Sequence, residues 1–456
     1  MKLKIKTELA EKHRLAAFVL LALGIVVLIF AMPAFLKLVE VLGHRIPQKD
    51  VQADYIKGLV WAVLLGSTIV IWPIRSQDKK ALLWVWSVKC FVMLGFMLFY
   101  EYYYQTDAFG YFSGSKHDIS EWETMEIAGP SSAVVIIAWL HNHSFFNSFH
   151  ATKVSFGMIG LVGIYIFYRS VVAFLRKEKL GLLYIFAFFP SILFWSSILG
   201  KEPIVLLGIA FYCYGVIKWV RVGSFVYIFF SLLCIYLMSF FKSWMGVILV
   251  FPMFISTLTV PMKNRKIKMA AIIVLSLASL FFVNQFSKHF NIKSSEDLTT
   301  QANVKSYNFA RGGSSIGVDK VESIAMPNKE KSEDMDRIKF NSLGEMILYI
   351  PQGIFTVLFR PLPGEVYNVF GFLAGIEDSF ILILFALAMK RLRWRELLDP
   401  IVIWAILLIV LWASIYGFVG FNLGTVCRYR LQILPVFLGL LLHIARRRPV
   451  VVGGLS

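Results

Sequence analysis

Long apolar runs, separated by short clusters of basic residues and two long polar segments, set the pattern of this chain. A helix needs about 20 mainly apolar residues to cross the hydrocarbon core of a bilayer. Runs of that kind are read at roughly 15–36, 58–74, 82–100, 154–172, 180–198, 203–217, 224–240, 245–261, 268–285, 369–389, 399–418 and 431–445. The pattern predicts an all-α, polytopic integral membrane bundle of about twelve spans, forming a single transmembrane domain over residues 1–456. The runs between 180 and 217 lie close enough to merge or to re-enter from one side. The first run follows a basic N-terminus and exceeds the ~7–15-residue apolar core of a secretory signal. It reads as a retained span.

Composition supports the pattern. Of 456 residues, 58% are hydrophobic and 16% charged, against about 25% charged in an ordinary soluble domain. A soluble globule, a disordered chain and a disulfide scaffold are excluded on that balance. The cysteines, Cys90, Cys213, Cys234 and Cys427, show no Cys-x-x-Cys spacing, so no zinc or thiol-redox framework is implied.

Charge then gives the chain a direction. A net charge of +18 would point a soluble protein towards nucleic acid. Here more than half of the 46 basic residues lie in the N-terminus and alternate loops, for example Arg75/Lys79/Lys80, Lys263/Arg265/Lys266/Lys268 and Lys390/Arg391/Arg393/Arg395. Basic clusters in short loops face the cytoplasm, so both termini are expected there and nucleic acid loses its support. The polar segments 101–153 and 286–368 become external loops. Within them Ser131–Leu140 and Met346–Phe359 are apolar but too short to span, and read as interfacial or re-entrant helices. Ser294–Lys339 has the composition of a mobile segment.

Three polar elements collect on the external face. Just beyond the third run stands Thr106-Asp107-Ala108-Phe109-Gly110-Tyr111. A carboxylate among aromatics can act as a general base beside a sugar ring; an interfacial aromatic belt with an ordinary loop aspartate is the alternative. The second element, Pro190-Ser191 through Trp195-Ser196-Ser197 to Gly200-Lys201-Glu202-Pro203, turns between two runs. It holds Lys201 and Glu202 at the outer surface, either as a site or as a snorkelling lysine with a helix-capping glutamate. The third is Thr425-Val426-Cys427-Arg428-Tyr429-Arg430. Its arginines fall on the side where positive charge is not needed for topology, as does Arg360. Arginine suits phosphate, and headgroup anchoring is the competing account. His141, His143 and His150 are too few for a metal-ligand set and read as solvated or headgroup-facing. Lys89 and Lys242 read as snorkelling residues.

In order and spacing, this external acidic loop, the Pro-Ser-x-x-x-Trp-Ser-Ser-x-x-x-Lys-Glu hairpin and the final Arg-Tyr-Arg-x-x-x-x-Pro span resemble the GT-C superfamily of polytopic glycosyltransferases. They resemble especially bacterial members associated with surface-polysaccharide synthesis. The likeness covers most of the chain in architecture and is specific over about 40 residues. It implies a sugar transferred from a polyprenyl-phosphate or diphosphate donor to a glycan or lipid-linked acceptor, outside a bacterial inner membrane. It further implies Asp107 as catalytic base, with Lys201 and Glu202 at the substrate and Arg428 and Arg430 on the donor phosphate; Arg360, at the same surface, and Tyr111, in the Asp107 motif, join them as expected substrate-binding residues. The acidic loop follows the third run, where the family usually has it after the first. No second acid stands beside Asp107 to complete a ligand set for a divalent cation. Two alternatives remain open: an O-antigen-type polymerase or ligase relying on Arg360, Arg428 and Arg430, and a lipid-linked oligosaccharide flippase.

Overall fold

A computed structural model describes residues 31–104, 106–117, 131–262, 264–311, 340–366, 369–418 and 423–446. Among these residues the fold is helical throughout, with no strand. Residues 31–42 are helical, while most of the expected first span lies outside the described residues. The helices that follow are α1 (Val51–Thr68), α2 (Ser76–Tyr103, with a π-helical stretch at Val92–Phe96), α3 (Asp107–Gly114) and α4 (Ser132–Ser144). Next come α5 (Phe149–Leu175), α6 (Leu180–Phe188), α7 (Pro190–Trp195), α8 (Lys201–Val222), α9 (Val226–Phe241) and α10 (Ser243–Thr259). The C-terminal part holds α11 (Arg265–His289), α12 (Ser295–Arg311), α13 (Leu343–Phe359), α14 (Val369–Arg391), α15 (Pro400–Gly417), α16 (Leu423–Arg430) and α17 (Leu434–Ala445).

Among the described residues, seven helices are long and apolar enough to cross a membrane, or eight if the bent pair α16–α17, with 69° between its axes, is one span. This is compatible with an integral membrane protein; twelve spans are not reached. The expected span at 180–198 is divided, because Pro190 lacks an N–H and holds Phe189 in an extended conformation between α6 and α7. At 16 and 17 residues, α9 and α10 are about 24–26 Å long, short of the ~30 Å hydrocarbon core. Of the expected mobile segment 294–339, residues 295–311 form α12, and residues 312–339 lie outside the described residues.

Sidedness within the bundle is visible on α11. Met269, Ile273, Leu277 and Leu280 are exposed, while Ala271, Leu275, Ser279 and Phe282 are buried. Two apolar stripes on opposite faces of one helix suit a surface that meets lipid outside and protein inside.

The centre is built on α5 and α8, and small residues permit their approach. A Cβ on Gly160 of α5 would lie 2.1 Å from the Ser196 carbonyl oxygen, so α5 runs directly against the turn that precedes α8. That turn is gripped from the other side by Lys89 of α2. Its fully buried ammonium donates to Ser196 O (3.0 Å), Ser196 Oγ (2.7 Å) and Ser197 Oγ (2.9 Å). Lys89 therefore points inward, contrary to the snorkelling expectation. At the start of α5, Asp54 accepts from the Phe149 and His150 amides at 2.8 and 3.2 Å and pairs with His150 Nδ1 at 2.6 Å. The helix N-terminus favours that carboxylate. One turn on, Lys153 pairs with Glu101 at 2.9 Å, both buried. These pairs fix the wall behind α3.

Candidate functional site

The short helix α3 opens on Asp107, and a carboxylate at that end suits the helix dipole. Its underside is anchored. Phe109 and Phe112 pack their rings on Phe149 at 5.4 and 5.6 Å between centroids. Asn142 of α4 donates to Ser115 Oγ at 2.7 Å and accepts from Thr152 of α5 at 2.9 Å. A loop helix tied in this way presents Asp107 from a fixed position.

The turn after α7 delivers the second carboxylate. Gly200, extended rather than strained, caps α8, and a Cβ there would lie 2.6 Å from Glu202 Oε2. A larger residue there would displace the carboxylate from its position folded back over the turn. From the other end of the chain, α16 brings Arg428 between the two acids. Arg428 Nη1 donates to Asp107 Oδ2 at 2.7 Å and Arg428 Nε donates to Glu202 Oε1. The Arg428 and Glu202 side chains are 12% and 6% exposed, Asp107 57%. The bridge thus has one dry end and one wet end. Trp195 lies under the guanidinium, 5.9 Å from ring centre to Cζ.

Below the bridge is a cavity of about 90 Å³. Asp107, Lys201, Glu202, Lys242 and Arg428 supply its charged lining, and Val205, Leu206, Met238, Phe241, Met245 and Leu431 its apolar wall. Tyr429 and Gln432 complete it. Gln432 is fixed by bonds from Trp412 (3.0 Å) and Tyr416 (2.8 Å) to its Oε1. Tyr111 stands beside the cavity with its ring 6.0 Å from Lys201 Nζ. Burial, with the Asp107 and Glu202 charges, pushes the Tyr111 phenol above its ordinary value, so it is a hydrogen-bonding group and not a base.

Arg360 and Arg430 belong elsewhere. Arg430 is buried, donates to Val357 O at 2.9 Å and to the Arg360 carbonyl, and pairs with Asp378 of α14. Arg360 is held by Glu365 at 2.8 Å. Neither lines the cavity; they lock α13, α14 and α16 together. Of the sequence-derived set, the structure brings together Asp107, Lys201, Glu202 and Arg428, places Tyr111 alongside, and sets Arg360 and Arg430 apart.

Among the described residues no three His, Cys, Asp or Glu side chains form a metal-sized group. The two acids at the cavity both engage Arg428, so this donor set does not fit a metal. The histidines are not solvated as a group. His141 is buried with Nδ1 on Ser155 Oγ at 3.0 Å, and its burial pushes it down to about 4. His150 is buried on Asp54, and His143 alone is exposed. Sequence reasoning passed over Lys242 as a cavity residue, although it shares the signal that singled out Arg428: a cation on the side where topology needs none.

No protein-family model, curated protein or solved structure significantly matches the chain.

Proposed function

We propose that this chain is a membrane glycosyltransferase. It transfers a sugar from a polyprenyl-phosphate or diphosphate donor to an acceptor on the non-cytoplasmic face, in cell-surface polysaccharide or glycoconjugate synthesis. The supporting observation is the convergence of Asp107, Glu202 and Arg428 on one cavity, with Asp107 and Arg428 standing 321 positions apart along the chain. In this reading the membrane is the bacterial inner membrane, the shorter helices complete about twelve spans, and both termini are cytoplasmic.

The reaction is a direct displacement. The acceptor hydroxyl approaches Asp107 from the exposed side and gives up its proton to that carboxylate as its oxygen bonds to the anomeric carbon. The bond from that carbon to the lipid phosphate oxygen breaks, and the phosphate leaves with the electron pair. Cations lining the cavity stabilise the charge that develops on it. Arg428 fixes the Asp107 carboxylate by one oxygen, and a carboxylate has further lone pairs for the hydroxyl proton.

Interior ionisable groups favour a second reading, a transporter of lipid-linked oligosaccharide. Lys89 lies within α2 and Glu377 and Asp378 within α14, all buried, and the α16–α17 pair is bent. These groups are engaged in holding helix ends: Lys89 on Ser196 and Ser197, Asp378 on Arg430, Glu377 on the Ser191 amide at 2.8 Å. The polymerase reading needs Arg360 and Arg430 at the substrate, and both are occupied away from the cavity. Full-length protein reconstituted in vesicles with polyprenyl-phosphate sugars tests the proposal. Asp107→Asn should reduce transfer by about 10²-fold or more. Transfer at the wild-type rate by that variant refutes the assignment of the base. Donor translocation without any transfer replaces the enzyme with the transporter.

A further inference from the structure

The helix α8 begins at the cavity with Lys201 and Glu202, and Arg221, in the last turn of its 22 residues, lies about 30 Å further on. That rise matches the ~30 Å hydrocarbon core of a bilayer. At the Arg221 end, several basic side chains serve the protein itself. Lys79 donates to Val70 O at 2.7 Å, Arg221 to Phe174 O at 3.3 Å, and Lys268 to Leu258 O and Val260 O at 2.8 Å each. Arg391 donates to Ala445 O. These carbonyls lie at the ends of α1, α5, α10 and α17, where the last C=O groups lack intrahelical partners and the dipole favours a cation.

The segment Lys390–Asp399, which joins α14 to α15, divides its residues by direction. Its two carboxylates are held by the ends of other helices. Glu396 meets Arg446 at 3.5 Å and Asp399 meets Arg221 at 3.8 Å, while Asp399 also accepts from the Ile401 amide at 2.8 Å. Leu392 packs against the core. Lys390, Arg393 and Arg395 are exposed, and among the described residues no carboxylate pairs with them. Between them stands Trp394, 86% exposed, and Leu398 beyond it is 74% exposed. The acids are thus neutralised against the bundle, and three cations with two large apolar side chains are left facing away from it.

The neighbouring surface narrows what covers this face. Along α14, Phe372, Ile376, Phe380, Ile383 and Leu387 form an exposed stripe at helical spacing that leads down to the segment. Hydrocarbon suits that stripe, and the segment follows it at the level where the helices end. An exposed indole flanked by cations suits a headgroup layer: the indole sits at the apolar–polar boundary, and guanidinium and ammonium groups bond to phosphate. A water-soluble acidic partner would match the cations but not the stripe that adjoins them.

We propose that Lys390–Leu398 is a docking surface for anionic phospholipid. Lys390, Arg393 and Arg395 engage the negatively charged headgroup, and Trp394 and Leu398 enter the boundary beneath it. The inference goes beyond the glycosyltransferase reading and holds whichever reaction the cavity performs. Arg221, Arg391 and Arg446, at the same end, hold helix ends and acids and take no part in lipid binding.

The test is equilibrium binding of dioctanoyl phosphatidylglycerol and dioctanoyl phosphatidylcholine to the full-length protein in detergent, with glycerol phosphate as an arm without acyl chains. The anionic lipid should bind more tightly than the zwitterionic one. Each cation near an anionic headgroup is worth about fivefold, so Arg393→Gln should lower that preference about fivefold. The combined Lys390→Gln, Arg393→Gln, Arg395→Gln variant should lower it tenfold or more. Trp394→Ala should weaken both lipids alike. A charge-matched control, Lys80→Gln, Lys177→Gln, Lys179→Gln, changes exposed lysines of other loops and should keep the preference. Equal affinity for the two lipids overturns the proposal and leaves the surface to an acidic protein. An unchanged preference in both the single and the combined variant overturns it as well, as does an equal loss in the control, which would make the effect one of overall charge. Glycerol phosphate bound as tightly as the anionic lipid overturns the lipid assignment.

Discussion

Replacing Arg428 by glutamine separates the two ends of the bridge energetically. Glu202 is 6% exposed and Asp107 57%. Removing the guanidinium strands a buried carboxylate at one end, at a cost of about 3–5 kcal/mol. At the other end it releases a carboxylate that water can solvate, a contribution of about 1 kcal/mol or less. The expected loss in Arg428→Gln is therefore carried almost wholly by Glu202. A double-mutant cycle reads this directly. Coupling of Arg428 to Glu202, from R428Q, E202Q and the pair, should exceed about 2 kcal/mol, and coupling to Asp107, from R428Q, D107N and the pair, should stay below about 1 kcal/mol. The measurement is unfolding of the detergent-solubilised full chain by denaturant titration. E202Q in the R428Q background should restore stability, and D107N should not. Equal couplings, or an R428Q protein within about 1 kcal/mol of wild type, would refute the view of a bridge with one dry and one solvated end.

Two further outcomes follow from packing and protonation. Gly160→Ala places a methyl group against the Ser196 carbonyl, 2.1 Å from the ideal Cβ position, and should cost about 1–3 kcal/mol through overpacking; a Gly160→Ala protein with wild-type stability and transfer rate contradicts the close approach of α5 to the turn before α8. His141, held at about 4 by burial against an ordinary value of 6.5, is neutral when folded and takes up a proton more readily when unfolded, so stability should be complete above about pH 6.5 and fall by up to about 3 kcal/mol as pH drops towards 4. His141→Asn should flatten that part of the profile, and a variant with the wild-type pH dependence rules His141 out as its source.

The legible part of the fold is what hydrophobic period and length encode. The long helices α1, α2, α5, α8, α11, α14 and α15 overlap expected runs because a continuous apolar stretch has few other options. The division at Pro190 was also readable, since proline removes an amide wherever it stands, but the run 180–198 was assigned on hydropathy alone. The convergence of Asp107, Glu202 and Arg428 followed from topology: charge out of place on one face narrows the candidates. What topology does not encode is azimuth. Arg428 and Arg430 carry the same sequence signal, and which one meets the cavity depends on how α16 is rotated by its contacts with Val357 and Asp378. Lys89 read as a snorkelling lysine because its partners, Ser196 and Ser197, are distant in sequence. The signal that existed for it was position inside an apolar run, where an ionisable residue rarely lies without a partner.

The helix α16 has eight residues, and its last three radiate in different directions. Arg428 reaches the Asp107–Glu202 bridge, Tyr429 lies on Lys242, and Arg430 reaches Asp378. Successive residues turn by about 100° on a helix, so the three side chains form a single indexed key. Deleting or inserting one residue upstream within the helix would rotate all of them out of register at once. Variation along this lineage should therefore appear at α16 as substitution, while gaps are confined to the loops at its ends.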